Sequence, residues 1–544
     1  MRLEGRRTGI AIALGLVLFA GLVARLFGIG FGLPAMLDPD ELIFELAAIH
    51  MLESGTGNPG WFGHPATTTI YVLAIITVSV FLLGWLQGAY DAPDDFAQAV
   101  FLNPELVILP GRIAMVGFAM LGLYLLYRLG RRVAGPWCGV TAAAIMAVSP
   151  LHVSWSQVVR SDIVATTFLV ATMLVAWRYY YSGRRRDLVL ACLCVALAIA
   201  SKWPFAVAIL SVWAAALLRG LQHDRWGNAI GSCLLILLLS AGMNILLSPF
   251  LLLELPTVLS NLQGERQVQH LGSTGGGFLA NFAYYLGVLL RTGVGLAGGA
   301  LALAGTVFLR RNVPFLLIVG LPALVLLVIF SAHTLVWERW AIALLPACAL
   351  AIGVAVARLQ KLIQPFDSGL RAALAAVATL TLFAPLVWQV NINASERLDD
   401  NRRLATDWAA SHLPPNATIM VEHFAFDLLS SKLNPIFPVG TAGCLNARKT
   451  LISGFDYSEI DGIRGGNSNL DYAAVPQAKL TSCKADFAVL TEFARYHAER
   501  AAFPKQDAQY SALLSSGRVV ARFPAIRGKV GGRPEVIVVD LRRR

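Results

Sequence analysis

The sequence predicts a polytopic α-helical membrane protein with about 11 transmembrane helices, a re-entrant or juxtamembrane helix and a soluble C-terminal α/β domain. Three observations carry this. Of 544 residues, 56% are hydrophobic and only 14% charged, and mean hydropathy is +0.64, whereas a soluble chain carries about 25% charged residues. Apolar runs of roughly 20 residues, long enough to span a bilayer, follow one another. Near residue 390 the composition turns polar, with Pro, Asp and Asn between short alternating stretches.

Candidate spans are 8–29, 111–129, 137–152, 162–181, 188–201, 203–218, 229–250, 281–308, 313–331, 339–357 and 371–390. The first lacks a small-residue cleavage site and reads as a retained span rather than a signal peptide. A further apolar segment, 66–86, is assigned by charge. Short basic clusters occur at Arg2/Arg6/Arg7, Arg131/Arg132, Arg184–Arg186, Arg219/Arg225, Arg310/Arg311 and Arg358/Lys361/Arg371. All fall on the cytoplasmic side only if 66–86 does not cross, so it reads as a re-entrant or interfacial helix on the outer side. Both flanks of 188–218 are basic, which makes it a hairpin of two short spans turning near Lys202 and Pro204. The N-terminus is then cytoplasmic and the C-terminal domain periplasmic or extracellular, in a multi-pass bacterial inner membrane protein.

The chain divides into a membrane domain, 1–390, with a first outer loop at 31–110 that carries juxtamembrane helices, and an extracytoplasmic α/β domain, 391–544. In the latter, "RLDDNRRLATDWAASHL" has helical spacing. The stretches "ATIMVEHF", "ADFAVLTEF", "GRVVARF" and "PEVIVVDL" read as strands. Five cysteines lie in apolar runs; Cys444 and Cys483 lie in the polar tail, where an oxidising compartment allows a disulfide between them. The net charge of +11 sits mainly in loops between spans, so it marks orientation rather than nucleic-acid binding.

Charged residues collect at the outer ends of the spans. The stretch "AMLDPDELIFELAAIH" sets Asp38, Asp40 and Glu41 within four residues, followed by His64, Arg160, Asp162, Lys202, Glu265, Arg266, His270, Glu338 and Arg339. Ionised groups at membrane depth are costly and mark function. A simpler reading also holds for several of them. Asp38, Asp40 and Asp162 suit helix starts, and Arg160 suits an interfacial anchor.

The acidic stretch is followed in order by "WFGHPATTTIYVLA", "LPGRIAMVGFAMLGLYLLYRLGRRVAG", "VSPLHVSWSQVVRSDIVATTFLVATMLVAWRYY", "ALAIASKWPFAVAIL" and "HTLVWERWAIALLPACAL". In this order, over roughly residues 8–390, the chain resembles the GT-C superfamily of polyprenyl-phosphate-sugar-dependent glycosyltransferases, nearest the protein O-mannosyltransferases and aminoarabinose transferases. Two departures stand out: the family's His-Pro-Pro-Leu reads His64-Pro65-Ala66-Thr67, and its late Arg-Tyr reads Arg339-Trp340.

The resemblance implies an inverting transfer of a hexosyl or pentosyl group from a polyprenyl-phosphate carrier to a lipid, glycan or protein acceptor at the outer membrane face. Such a reaction needs one carboxylate to take the acceptor proton and cations to hold the phosphate leaving group. By its match to the family's Asp-Glu pair, Asp40 is the expected base, with Glu41 orienting it or touching the acceptor. Asp162, Asp38 and Glu265 are expected to serve as second carboxylate or acceptor and sugar contacts. Lys202, Arg339, Arg266, His64 and His270 are expected at the donor phosphate. No cofactor is required; the carboxylates could hold a divalent cation. A polytopic transporter or flippase of a lipid-linked saccharide is the alternative. Against it, the charges lie at one face and the two halves show no repeat.

Overall fold

The computed structural model describes residues 2–222, 226–422, 426–446, 448–449, 471–525 and 534–542. Arg225 and the last two residues of the predicted strand "ATIMVEHF" (423–424) lie outside the described residues. The chain is a multi-pass membrane protein. Among the described residues nine helices are long and apolar enough to cross a membrane, or eleven if each of two bent helix pairs is one span.

The first helix, α1 (Arg2–Leu26), leads into α2 (Pro39–Ser54), then α3 (Thr67–Leu86), α4 (Pro93–Leu102) and α5 (Glu105–Ala134). The predicted re-entrant segment 66–86 is α3, a 20-residue helix without a break. Its neighbours fix its course. Thr77 donates to Glu45 of α2 at 2.7 Å. Leu73 lies beside Gly111 near the start of α5. Val80 and Phe81 pack with Met36, Val107 and Ile108. These contacts are with α2, the residues just before it and the first turns of α5; by length and composition α3 is also one of the nine helices able to cross a membrane.

Two predicted spans are broken. The run 137–152 becomes α6 (Pro136–Val148) and α7 (Pro150–Ser156), bent by 62°, because Pro150 has no N–H to continue the ladder. The carbonyls freed at the break are taken up by Arg25 of α1, which donates to Ala147 at 2.9 Å and Met146 at 3.0 Å. The run 281–308 is sharply bent: Phe278–Gly293 and Gly295–Leu309 meet at 116°, as a broken span or a re-entrant loop would. Gly295 makes the corner with φ +72°, a conformation strained for any residue with a Cβ. By contrast, the predicted hairpin is observed. Helices α8 (Ser161–Ser182) and α9 (Arg185–Ser201) precede a turn at Lys202. The chain then returns so that Arg219 reaches the Tyr180 carbonyl at 3.2 Å.

The last membrane helix, Ser368–Leu398, runs past the predicted boundary at 390. Beyond helix Asn401–His412 the described residues form a six-stranded mixed sheet, in the order β3-β2-β1-β4-β6-β5. Its strands are β1 (Thr418–Val421), β2 (Asn434–Pro438), β3 (Cys444–Asn446), β4 (Phe487–Leu490), β5 (Arg518–Phe523) and β6 (Val536–Asp540). Strand β1 runs parallel to β2 and β4; the other pairings are antiparallel. The four predicted strands are β1, β4, β5 and β6. The period-2 pattern missed β2, whose "NPIFP" carries two prolines, and β3, which has three residues. Alternate side chains feed two cores. Ile419, Val421 and Phe487 face helix Asn401–His412, and Met420, Ala488 and Leu490 face Tyr510 of helix Pro504–Ser515.

The sheet domain rests on the end of the bundle where α2 begins. Phe437 and Val439 pack with Leu42 of α2, Arg402 donates to the Leu37 carbonyl at 3.1 Å, and Arg495 donates to the Leu271 carbonyl at 3.1 Å. Cys444 and Cys483 are disulfide-bonded across 39 residues. Opening that loop, by Cys444→Ser or a reductant, is expected to cost the sheet domain about 2–4 kcal/mol. Limited proteolysis of the full chain, with and without reductant, reads this as faster cleavage within the sheet domain.

Candidate active site

Four segments bring ionised side chains to one place. The first is the start of α2. Asp38 caps it, accepting from the Asp40 N–H at 3.1 Å, so the capping reading of Asp38 holds while its carboxylate also pairs with Arg160 at 2.8 Å. The second is the start of α8, where Arg160 precedes the first turn and Asp162 lies within it. The third is the turn after α9, where Pro204 follows Lys202 and the helix tightens to 3₁₀. The fourth is the 3₁₀ segment Glu338–Leu344, which carries Arg339.

These groups interlock. Arg160 pairs with both Asp38 and Asp40. Lys202 donates to Asp162 at 2.6 Å. Arg339 stands between the two halves, 4.0 Å from Asp40 and 3.9 Å from Asp162. The set holds three cations (Arg160, Lys202, Arg339) and three carboxylates (Asp38, Asp40, Asp162). Charges out of bulk water persist when paired in this way. Arg339 has the loosest pairs, and its Nε is buried with no hydrogen-bond partner among the described residues. It lies over the Trp337 ring at 4.1 Å and beside Trp155 at 5.9 Å. Most of the set is covered, with side chains 5–8% exposed for Arg160, Asp162, Lys202 and Arg339. Asp40 is the opening, at 30%.

Burial alone would raise the Asp40 carboxyl, but the charges of Arg160 and Arg339 hold it down at about 2. His64 stands edge-on to Trp61 at 5.3 Å. Burial, and then the charges of Lys202 and Arg339, push it down to about 3. It is therefore a neutral ring near pH 7, able to donate one N–H but not to act as a cation. Glu265 reaches back from the 265–277 loop until its Oε1 would lie 2.6 Å from a Cβ placed on Gly63, next to His64. Burial, followed by the Asp40 charge, raises its carboxyl. His270 packs against Trp337 at 4.7 Å.

Two expected site residues are elsewhere. Glu41 is fully buried and faces away from the opening. Both of its oxygens accept from Arg112, at 2.8 and 2.6 Å, and one also accepts the Val159 N–H at 2.9 Å. Residues one apart on a helix point about 100° apart, and Asp40 takes the open side. Arg266 is exposed, and no described ion pair or hydrogen bond joins it to the cluster. Sequence reading also missed Arg160, taken as an interfacial anchor. The available signal was its place two residues before Asp162. Trp155 and Trp337 gave no signal beyond being aromatic. Among the described residues no group of three or more His, Cys, Asp or Glu side chains is placed to hold a metal ion.

The family profile for dolichyl-phosphate-mannose-protein mannosyltransferases matches residues 97–252. That stretch contains Arg112, Arg160, Asp162 and Lys202. No curated protein matches the chain by sequence. Among solved structures, apo ArnT from Cupriavidus metallidurans is similar with a TM-score of 0.52 and 15% identity, covering 99% of this chain and 98% of that one. ArnT bound to undecaprenyl phosphate gives a TM-score of 0.50 at 15% identity and covers 98% of each chain. The apo oligosaccharyltransferase from Archaeoglobus fulgidus gives 0.51 at 11% identity, covering 92% of this chain and 72% of that one. With a charged cluster at one end of the helix bundle and a sheet domain resting on that end, this chain has the fold of ArnT and the archaeal oligosaccharyltransferase.

Proposed function

We propose that the chain is an inverting glycosyltransferase that moves a sugar from a polyprenyl-phosphate carrier to an acceptor hydroxyl. Its site would face outward from a bacterial inner membrane, with the N-terminus in the cytoplasm. The observation that carries this reading is Arg339: a buried guanidinium with an unpartnered Nε and only stretched pairs to Asp40 and Asp162. Such a group can take up an incoming anion without breaking a tight ion pair. Its neighbour Lys202 supplies a second cation. The undecaprenyl phosphate bound by ArnT and the dolichol phosphate bound by the Archaeoglobus fulgidus enzyme AglB support a lipid-phosphate ligand. A transporter finds no support in a charge cluster confined to one end of the bundle.

The chemistry follows from the arrangement. The acceptor oxygen attacks the anomeric carbon, its proton passes to a carboxylate, and the bond from that carbon to the phosphate oxygen breaks. The phosphate leaves with one more negative charge, which Arg339 and Lys202 hold. Asp40 is the carboxylate that opens to the site. While held at about 2 it is a weak base, since an efficient base titrates near working pH. A phosphate that draws Arg339 toward itself removes one of the charges depressing Asp40. Donor binding would thus raise the basicity of Asp40 when it is needed. Asp162, tied to Lys202, sets the ammonium in place. Glu265, on the loop beside His64, is the remaining carboxylate for the acceptor or sugar.

Asp40→Asn is expected to lower turnover by about 10²–10⁴-fold with an unchanged unfolding midpoint, measured with a polyprenyl-phosphate sugar in membranes; full activity would end the assignment of the base. A depressed pKa keeps Asp40 ionised down to low pH, so the acid limb of kcat/KM, which reports the free enzyme, should lie below pH 4. In Arg339→Gln that limb should move upward, with a higher KM for the donor. Glu41→Ala should act differently: stranding the buried Arg112 costs about 3–5 kcal/mol of stability, read as a lowered unfolding midpoint in detergent.

A further inference from the structure

At the end of the bundle far from Asp40, helices Gly295–Leu309 and Leu345–Leu362 cross closely and then part. A Cβ on Gly305 would fall 1.9 Å from the Ala351 carbonyl oxygen, so only glycine permits that approach. Toward the ends of these two helices lies an open hollow of about 500 Å³. Arg310 and Arg311 line it from one helix end, and Arg358 and Lys361 from the other. None of these four cations forms an ion pair among the described residues, and no acidic residue lines the cavity. Val307, Phe308 and Leu362 complete the wall and are 49%, 45% and 65% exposed.

Arg128, Arg131 and Arg132 line a smaller hollow at a single helix end; here two helix ends bring four cations around one hollow, where they repel one another unless an anion joins them. Four of them around one hollow make a place for a polyanion. The apolar rim selects further. A free phosphate gains nothing from Phe308 and Leu362, whereas a phospholipid brings acyl chains to them. A zwitterionic headgroup carries its own ammonium into the cluster and loses the advantage.

We propose that this cavity binds the headgroup of an anionic phospholipid, its phosphate held by Arg310, Arg311, Arg358 and Lys361 and its chains lying along Phe308 and Leu362. The site joins two helices, one of which begins just after the segment carrying Arg339. A lipid seated there anchors the far end of the helix that follows Arg339. This inference stands apart from the proposed transfer reaction.

The test uses the full chain, delipidated in neutral detergent, with phosphatidylglycerol, phosphatidylcholine or inorganic phosphate added, and counts retained lipid by native mass spectrometry. Phosphatidylglycerol should be retained at least tenfold better than phosphatidylcholine. Arg310→Gln with Arg358→Gln should abolish that preference, and Arg185→Gln with Arg186→Gln, a charge-matched change at another basic loop, should leave it intact. Equal loss in the two double variants would reduce the site to diffuse charge and overturn the proposal. So would displacement of phosphatidylglycerol by equimolar inorganic phosphate, which would make this a free-phosphate site. If the first double variant does not fold, Arg358→Gln and Lys361→Gln singly should each lower retention several-fold, and unchanged retention in both would overturn it.

Discussion

Glu41 and Arg112 form a buried ion pair that ties together four stretches of chain. Glu41 belongs to α2 and Arg112 to α5. Arg112 also donates to the carbonyls of Ile29 and Phe31, at 2.7 and 2.8 Å, just past α1. Glu41 accepts the N–H of Val159, the residue before Arg160. A pair with both partners fully buried survives because nearly every polar atom is matched; with one partner gone, the other is an unpaired charge in a dry place. Its geometric consequence matters most. By fixing Val159 against α2, it sets Arg160 opposite Asp38 and Asp40. The neighbouring residues Asp40 and Glu41 thus divide the labour: one faces the opening, and the other holds the wall that gives the opening its shape.

The rest of the site depends on that wall. The hairpin of α9 and the chain that follows presents Lys202 to Asp162, and the 3₁₀ segment at Glu338–Leu344 presents Arg339 between them. Short irregular segments do this well, because a helix interior would aim its side chains at neighbouring helices. Charge balance then explains why the set tolerates its depth. The sheet domain closes over the same end, touching α2 at Leu42 and the 265–277 loop at Leu271, so the loop that carries Glu265 and His270 is held from both sides.

Much of this was legible in the sequence. Apolar run length gave the bundle, and four residues picked out along the order of polar motifs, Asp40, Asp162, Lys202 and Arg339, lie together. What stayed hidden depends on angle and partner. Whether Asp40 or Glu41 faces the opening is a question of rotation about α2, on which mixed apolar and polar spacing is silent. Arg160 has the composition of an anchor and the position of a bridge; contacts across 122 residues decide which. The break at 293–295 was masked because hydropathy does not sense direction, and a Gly-rich apolar run scores the same straight or bent. Strand β2 hides behind its prolines.

Arg25 draws attention to a different problem of membrane architecture. Where α6 stops short of Pro150, carbonyl oxygens face inward with no amide to meet them. Such a ring of dipoles ordinarily invites water and, with water, hydrated sodium or protons. The guanidinium occupies that place, shared with the ring nitrogen of His152 at 2.8 Å, and brings a fixed positive charge. Any mobile cation would meet repulsion there in addition to a filled void. The kink is in this way also sealed: a helix inside the bundle is bent without leaving an open polar gap.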